Sequence, residues 1–127
     1  MRVVVADDDP DLREVIAEAL RVDGFEVIEA ANGAQLLDLV GPSLLGGPEG
    51  APAELVVSDL RMPGITGMSV LGGLRDLPWR PPFILITAFG DAETHAEARR
   101  LGASAVLDKP FEMRVLVRLV RQCLGVS

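Results

Sequence analysis

Short apolar runs alternate with amphipathic stretches five times along the chain. The apolar runs predict strands over residues 3–6, 25–29, 55–58, 83–87 and 104–107. The first and fourth runs are continuous rather than alternating, which is typical of parallel strands that are buried on both faces. After each run, apolar residues recur at helical spacing. Five β-α units in sequence predict an α/β fold, in which helices cover both faces of a parallel sheet.

The predicted helices differ in strength. The first follows Asp9 and Pro10, which suit an N-cap and the first helical position, and it ends near Gly24. The others are predicted over residues 32–40, 67–77, 91–101 and 113–124. The fourth has mainly alanines on its apolar face, so we expect it to be held loosely. Residues 41–52 and 78–82 are rich in Gly and Pro, which predicts a long loop and a stiff connection.

The composition limits the class of protein. A length of 127 residues suits a single domain. The longest apolar runs, at residues 3–6 and 83–86, are far too short to cross a membrane. The residues before the first strand are too few for a signal peptide, so we expect a cytoplasmic protein. The single cysteine, Cys123, provides neither an internal disulfide nor a metal cluster.

The charge balance argues against direct binding of nucleic acid. The chain has 12 basic and 19 acidic residues and a net charge of −7, which repels a phosphate backbone. It has four Phe, one Trp and no Tyr, so few rings could stack on bases. We therefore expect protein partners rather than DNA or RNA for this domain.

Residues that can carry chemistry stand where the predicted strands end. Asp7 and Asp8 follow the first strand, Asp59 follows the third, Thr87 ends the fourth, and Lys109 comes shortly after the fifth. Parallel sheets bind ligands beyond the carboxyl ends of their strands. A single acid at such a place is most often a helix cap or a solvated residue. The combination is more informative, because it would put three carboxylates in one cleft.

A divalent cation would make such a cleft stable, because carboxylates at close range repel one another. Mg²⁺ prefers oxygen ligands and typically binds one or two carboxylates together with a phosphate oxygen. No His or Cys stands near these acids in the sequence, which disfavours zinc or copper. Lys109, the only lysine, adds a positive charge and Thr87 a hydroxyl. Together these groups indicate a phosphoryl-transfer site in which a carboxylate forms an aspartyl phosphate.

Four motifs make the chain resemble the receiver domains of two-component response regulators. They are residues 6–10 (ADDDP), 59–67 (DLRMPGITG), 87–88 (TA) and 109–111 (KPF). Each motif alone is weak, but all four occur in order at the ends of the expected strands. The resemblance covers essentially all of residues 1–127. It implies that the chain is either a free-standing receiver domain or a piece of a longer regulator. It implies the flavodoxin-like, CheY-like sheet with the strand order 2-1-3-4-5.

The resemblance implies a phosphoacceptor and a set of metal ligands. Asp59 would accept the phosphoryl group, and the domain would act as a signalling switch rather than as an enzyme. Asp8 and Asp59 would bind Mg²⁺ directly, and Asp7 would bind it through water. The backbone carbonyl of Arg61 would be a further ligand.

The resemblance also implies how the phosphoryl group is delivered and held. Thr87 would form a hydrogen bond with it and Lys109 would pair with it, next to a cis peptide bond before Pro110. The donor would be a phosphohistidine on a sensor histidine kinase or a phosphotransfer protein. His95, the only histidine of this chain, is expected to be solvated on the fourth helix.

The chain departs from the family pattern at one switch position. Many members have an aromatic residue three positions before the lysine, where this chain has Val106. This difference affects the aromatic part of the switching and not the phosphorylation. Arg61 and Phe89 match positions that tune the lifetime of the phosphoryl group in the family.

We expect phosphorylation of Asp59 to draw Thr87 inward and to shift the fourth helix and the fifth strand between two packings. The surface of the fourth helix, fifth strand and fifth helix would then change its interactions. Val115 and Leu119 lie off the main apolar stripe of the last helix. They form either a partner or homodimer surface or a contact with the neighbouring helix.

Other functions fit the sequence less well. The same fold could serve as an interaction domain that works without phosphorylation, and Val106 is the one feature in favour of that function. A flavin-binding electron carrier would need a Ser, Thr or Gly loop after the first strand, where this chain has acids. A haloacid-type phosphatase would need Asp-x-Asp followed by Thr, whereas Asp9 is followed by Pro10 and Asp11.

Overall fold

Strands and helices alternate along the chain in the computed structural model, which describes residues 1–44, 53–76, 80–88 and 90–126. The elements are β1 (Arg2–Ala6), α1 (Pro10–Val22), β2 (Glu26–Ala30), α2 (Gly33–Leu44), β3 (Leu55–Asp59), α3 (Gly67–Leu74), β4 (Phe83–Thr87), α4 (Ala92–Arg100), β5 (Ala105–Asp108) and α5 (Met113–Leu124). The five strands are parallel and lie in the order β2-β1-β3-β4-β5. The predicted fold class and strand order are confirmed.

Apolar helices cover the sheet on both faces. Successive residues of a strand point to opposite faces. Along β1, Val3 and Val5 therefore pack with α1 and α5, whereas Val4 and Ala6 pack with α2, α3 and α4. Every residue of β3 and β4 is buried, and the edge strands β2 and β5 are partly exposed. The continuous apolar runs of the sequence thus become the central strands.

The start of α1 is fixed directly behind the acidic residues. The side chain of Asp9 accepts hydrogen bonds from the backbone N–H groups of Asp11 and Leu12 at 3.0 and 3.4 Å, as an N-cap does. At the other end Gly24 adopts a φ of 99°, which favours glycine. The predicted cap and the predicted end of this helix are both confirmed.

Helix α2 is longer than predicted. It continues to Leu44, four residues into the segment that Gly and Pro had marked as a loop from residue 41. A proline beyond the first turn of a helix removes one backbone hydrogen bond and crowds the carbonyl four residues earlier, which is why the sequence predicted an earlier end. The remainder of the predicted loop, residues 45–52, lies outside the described residues.

Helix α3 is shorter than predicted. It ends at Leu74 instead of residue 77, and residues 77–79, which include part of the predicted stiff connection, lie outside the described residues. Gly72 and Gly73 occupy its last turn, and glycine is a poor helix former. Among the described helices, none is long and apolar enough to cross a membrane.

The strand register brings the ends of the strands to one edge of the sheet. Ala6 lies opposite Ser58, which places Asp7 beside Asp59. Asp59 is paired with Ile86, and Thr87 is paired with Asp108, the residue before Lys109. Every chemical group that the sequence singled out at a strand end therefore faces the same edge.

We predict that Leu116→Ala destabilises the protein by about 2–5 kcal/mol, because this side chain of α5 is fully buried against the sheet and leaves a cavity. Val22→Ala is the matched control, since Val22 is 80% exposed at the end of α1 and should change stability by less than about 0.5 kcal/mol. Urea unfolding followed by circular dichroism measures both values. Equal losses in the two variants would contradict this packing.

Candidate functional site

Three carboxylates form a cluster at the carboxyl edge of the sheet. Asp7, Asp8 and Asp59 each have an oxygen within 4.8 Å of one another. Asp7 and Asp59 are buried, with 1% and 7% exposure, whereas Asp8 is exposed. Two members of the cluster are thus screened from water, and the third is at its mouth.

The loop after β1 holds Asp7 in place from several sides. The backbone N–H of Asp7 donates to the carbonyl of Ala30 at 3.1 Å, and Arg13 Nη1 donates to the carbonyl of Asp7 at 2.8 Å. Asp7 Oδ1 accepts from the backbone N–H of Asp9 at 2.9 Å. Asp7 Oδ2 is buried and has no hydrogen-bond partner. A buried oxygen in this state is costly, so the site is suited to a cation.

Lys109 brings a positive charge into contact with the cluster. Its Nζ lies 3.1 Å from Asp59 Oδ1, and its backbone N–H donates to the carbonyl of Thr87 at 2.8 Å. The peptide bond between Lys109 and Pro110 is cis, as the resemblance implied. The hydrogen bond to the end of β4 therefore positions the Lys109 main chain so that its ammonium group reaches Asp59.

The main chain around Asp59 is held by two neighbours that the sequence analysis did not single out. Ser58 Oγ donates to the carbonyl of Asp59 at 2.9 Å. Gly67, the first residue of α3, lies so close that a Cβ there would come within 2.3 Å of the same carbonyl oxygen. Only glycine fits at this position. Its place in the motif of residues 59–67 was visible in the sequence, but the reason for it was not.

Burial and charge change the acidity of the two buried carboxyls. Burial raises the pKa of Asp7 to about 6, and the nearby charge of Asp59 adds to this rise. Burial also raises the pKa of Asp59, against the opposing effect of the hydrogen bond and charge of Lys109. Ionising both acids is thus unfavourable without an additional positive charge.

A pocket of about 90 Å³ lies directly over Asp59. Its lining consists of Asp59, Leu60, Arg61, Thr87, Ala88 and Lys109. This volume is well below that of a typical drug-sized ligand site and suits a small group. Thr87 is buried, at 1% exposure, and Arg61 follows Asp59 in the loop to α3. The structure thus brings all the predicted phosphoryl-contacting residues to one pocket.

One predicted switch position, Val106, lies away from this pocket. Val106 is partly buried in the middle of β5, opposite Leu85, and packs against the core on the α4 side. An apolar side chain there cannot form the hydrogen bond that a tyrosine could. Phe89 lies outside the described residues.

The expectation that His95 is solvated is wrong. Its Nε2 lies 2.8 Å from Asp108 Oδ1, and the His95 side chain is only 20% exposed. His95 lies on α4 and Asp108 at the end of β5, 13 residues apart in the sequence. No local sequence pattern predicts a contact between residues so placed. Asp108 also lies against Gly90, where a Cβ would come within 1.7 Å of its Oδ1. The loop before α4 and the end of β5 are therefore in close contact.

The donor set fits Mg²⁺. It consists of carboxylate oxygens, one of which is buried without a partner, and a magnesium ion prefers such hard oxygen ligands. Among the described residues, the group offers no His or Cys ligand that would favour zinc or copper. The exposure of Asp8 leaves one side open for water ligands, which Mg²⁺ usually retains.

We predict that Asp7→Asn stabilises the metal-free protein at pH 7.5 by on the order of 1–3 kcal/mol, because it removes a buried negative charge. The folded-state pKa of Asp7, about 6, exceeds its ordinary value of 3.8. Ionised Asp7 therefore lowers stability above pH 6, and this cost disappears as the pH falls from about 6 towards 4. The gain from Asp7→Asn should accordingly shrink at pH 4.

Urea unfolding in a chelator at both pH values measures this effect. Asp9→Asn is the control, because Asp9 is exposed and an asparagine can still cap α1. A loss of stability in Asp7→Asn at pH 7.5 would contradict the proposed cost of the buried charge.

Comparison with known proteins agrees with this site. The chain matches the sequence model of the response regulator receiver domain over residues 3–121. The C4-dicarboxylate transport transcriptional regulatory protein DctD of Pseudomonas aeruginosa is 37% identical over 125 residues, which are 98% of this chain and 25% of DctD. An uncharacterized 14.6 kDa protein of Leptolyngbya boryana is 35% identical, with coverage of 98% and 92%.

The fold leads to the same family. The receiver domain of the Francisella response regulator 1452 superimposes with a TM-score of 0.86 at 27% identity, covering 98% of this chain and 96% of that one. Since this chain spans about a quarter of DctD, only the matched segment of that relative bears on it. The match along residues 3–121 shows that the chain belongs to the receiver domains of two-component response regulators.

Proposed function

We propose that Asp59 accepts a phosphoryl group from a phosphohistidine on a partner histidine kinase or phosphotransfer protein. The observation that carries this proposal is the 3.1 Å contact between Lys109 Nζ and Asp59 Oδ1 beside two further carboxylates. A lysine so placed can neutralise a phosphoryl oxygen once the group is attached. Receiver domains are signalling switches rather than classical enzymes, and this chain belongs to them.

The transfer is a displacement at phosphorus. A carboxylate oxygen of Asp59 forms the new P–O bond while the P–N bond to the donor imidazole breaks, and the imidazole takes up a proton from water. Lys109 and the Thr87 hydroxyl would then bind the oxygens of the phosphoryl group. The pocket over Asp59 is lined by both residues, and its volume of about 90 Å³ suits a small group.

Asp8 and Asp59 would hold Mg²⁺ directly, Asp7 through water, and Arg61 through its backbone carbonyl. When bound, the ion supplies positive charge that lowers the repulsion between the carboxylates and the incoming phosphoryl oxygens. Three features of the site suit this role. The buried Oδ2 of Asp7 has no hydrogen-bond partner, the Ser58 hydroxyl donates to the Asp59 carbonyl, and Gly67 lies directly against the same carbonyl.

The response to phosphorylation is proposed to pass through α4. A phosphoryl group would draw the Thr87 hydroxyl towards it, and β4 leads through residues 88–91 directly into α4. Among the described residues of this helix only Ala98 is fully buried, so its packing against the sheet is light. Two packings of α4 and β5 can then differ by little free energy, and phosphorylation would favour one of them.

The surface of α4, β5 and α5 would carry the signal to partners. Leu119 packs against the core while remaining partly exposed, and Val115 beside it is also partly exposed. They remain candidates for a homodimer contact in the activated state. We propose that the protein acts in the cytoplasm together with its kinase. We also propose that this domain itself does not bind nucleic acid or a membrane.

A phosphorylation-independent interaction domain is the second candidate function. Val106 is the observation in its favour, because β5 lacks the aromatic residue that often couples to the threonine. The complete set of acids, Thr87 and Lys109 around one pocket favours the phosphoacceptor, since an interaction domain has no need of a buried carboxylate cluster.

We predict that incubation with acetyl phosphate and Mg²⁺ adds one phosphoryl group to the protein, and that Asp59→Asn or a chelator abolishes the addition. Intact mass spectrometry under mild conditions detects the product. Asp9→Asn is the matched control. Asp9 only caps α1, so this variant should gain a phosphoryl group on Asp59 as the original chain does. Phosphoryl gain in Asp59→Asn, or none in the original chain, would contradict the proposed function.

We predict that His95→Ala loosens α4 in the unphosphorylated protein, because it removes the hydrogen bond to Asp108. A loss of about 1 kcal/mol corresponds to roughly fivefold faster hydrogen exchange of the α4 amides. Asp108→Ala should give a similar increase, and the double variant should add little to either one. Fully additive effects would show that the two residues do not act as a pair.

A further inference from the structure

We propose that Arg13 is a positioning residue for the magnesium site, acting through the peptide group that joins Asp7 to Asp8. This inference rests on the proposed function, in which both acids hold the ion. The guanidinium group of Arg13 offers no ligand atom, because it only donates hydrogen bonds. Its contribution is to hold the carbonyl oxygen of Asp7, so that the carboxylates on either side of this peptide group keep their places.

Arg13 lies at a position where α1 by itself disfavours a positive charge. The helix begins at Pro10 after the N-cap Asp9, so Arg13 belongs to the first turn. The positive end of the helix dipole favours acidic side chains there. The Arg13 side chain is also largely withdrawn from water, with 19% of it exposed. An arginine in this position needs acceptors close by, and the structure supplies two.

The guanidinium group of Arg13 connects the acidic loop with β2. Its Nη1 donates to the carbonyl oxygen of Asp7 at 2.8 Å, and its Nε donates to Glu29 Oε1 at 3.2 Å. The two donors belong to one rigid, planar group, so both bonds form at the same time. The charge of Glu29 offsets that of Arg13, and the pair therefore adds little repulsion towards a cation at the acids.

The end of β2 thus holds the main chain of Asp7 on both sides. The backbone N–H of Asp7 donates directly to the carbonyl of Ala30 at 3.1 Å. The preceding residue, Glu29, holds the Asp7 carbonyl through Arg13. The first bond fixes the chain as it enters Asp7, and the second fixes the peptide group through which it leaves towards Asp8.

Loss of Arg13 frees this peptide group to rotate, which moves the carboxylate of Asp8 relative to that of Asp7. Mg²⁺ requires nearly ideal octahedral geometry with ligands at about 2.0–2.1 Å, so it is sensitive to such a movement. Changes in the residues that orient metal ligands commonly weaken binding by about 10–100-fold. Because other groups still hold the N–H and the carboxylate of Asp7, we expect Arg13→Ala to raise the Kd for Mg²⁺ roughly tenfold. An effect of charge alone has the opposite sign, since removal of a positive charge near the acids would tighten the binding of a cation.

Arg21→Ala is the matched control. Arg21 lies about two turns further along α1 and also ties this helix to β2. Its Nη2 donates to the carbonyl of Val27 at 3.0 Å and to Glu29 Oε2 at 3.4 Å. Both variants should therefore lower the stability measured by urea unfolding. Arg13→Ala alone should also raise the Kd for Mg²⁺, which isothermal titration of the unphosphorylated protein measures.

The outcomes separate the role of Arg13 from the proposed function. An unchanged or lower Kd in Arg13→Ala, or an equal rise in Arg21→Ala, would overturn the role of Arg13. The proposed function would survive that result, because the original chain would still bind Mg²⁺. If the original chain binds no Mg²⁺, the metal site of the proposed function fails, and the role of Arg13 fails with it.

A second measurement covers the case in which Arg13→Ala does not fold. In the ¹⁵N-labelled original chain, Mg²⁺ should shift the NMR resonance of the Arg13 Nε–H group, because the ion fixes the peptide group that Arg13 holds. The Nε–H resonance of Arg21 is the internal control and should stay in place. An Arg13 resonance that saturating Mg²⁺ leaves unchanged would overturn the proposal.

Discussion

The structure of the site follows from the repulsion between buried carboxylates. Asp7 and Asp59 are held out of water at the end of the sheet, and burial raises the pKa of both. Lys109 offsets part of this cost through its contact with Asp59. The remainder is electrostatic repulsion that a bound divalent cation would lower. A site that is unfavourable when empty of positive charge gains most from binding it.

Two glycines near the site allow main chains to pack closely around the loop that follows β3. Gly67 lies against the carbonyl of Asp59, and Gly33 lies against the carbonyl of Ile65. Both contacts bring main chains closer together than any other residue would permit. The loop between β3 and α3 is thereby fixed relative to β3 on one side and to α2 on the other. Precise placement of oxygen ligands depends on such rigid support.

The opposite side of the pocket is held less firmly. Helix α4 has only Ala98 fully buried among its described residues, and its polar contact with the end of β5 is the His95–Asp108 pair. This combination suits a part that changes its packing, because few apolar contacts have to be broken. Thr87 lies between the loop that follows β3 and the lightly packed helix α4. Its carbonyl accepts a hydrogen bond from the backbone N–H of Lys109.

The sequence by itself determined the fold class, the strand order implied by the family resemblance, and the acids, threonine and lysine that meet at the strand ends. Apolar periodicity and short motifs are local properties, so one sequence suffices to detect them. The end of α2, the His95–Asp108 contact and the reason for Gly33 were decided by the tertiary structure. Each of these depends on groups that are distant in the chain and meet only after folding, and residue type alone does not reveal which backbone passes within a few ångströms of another.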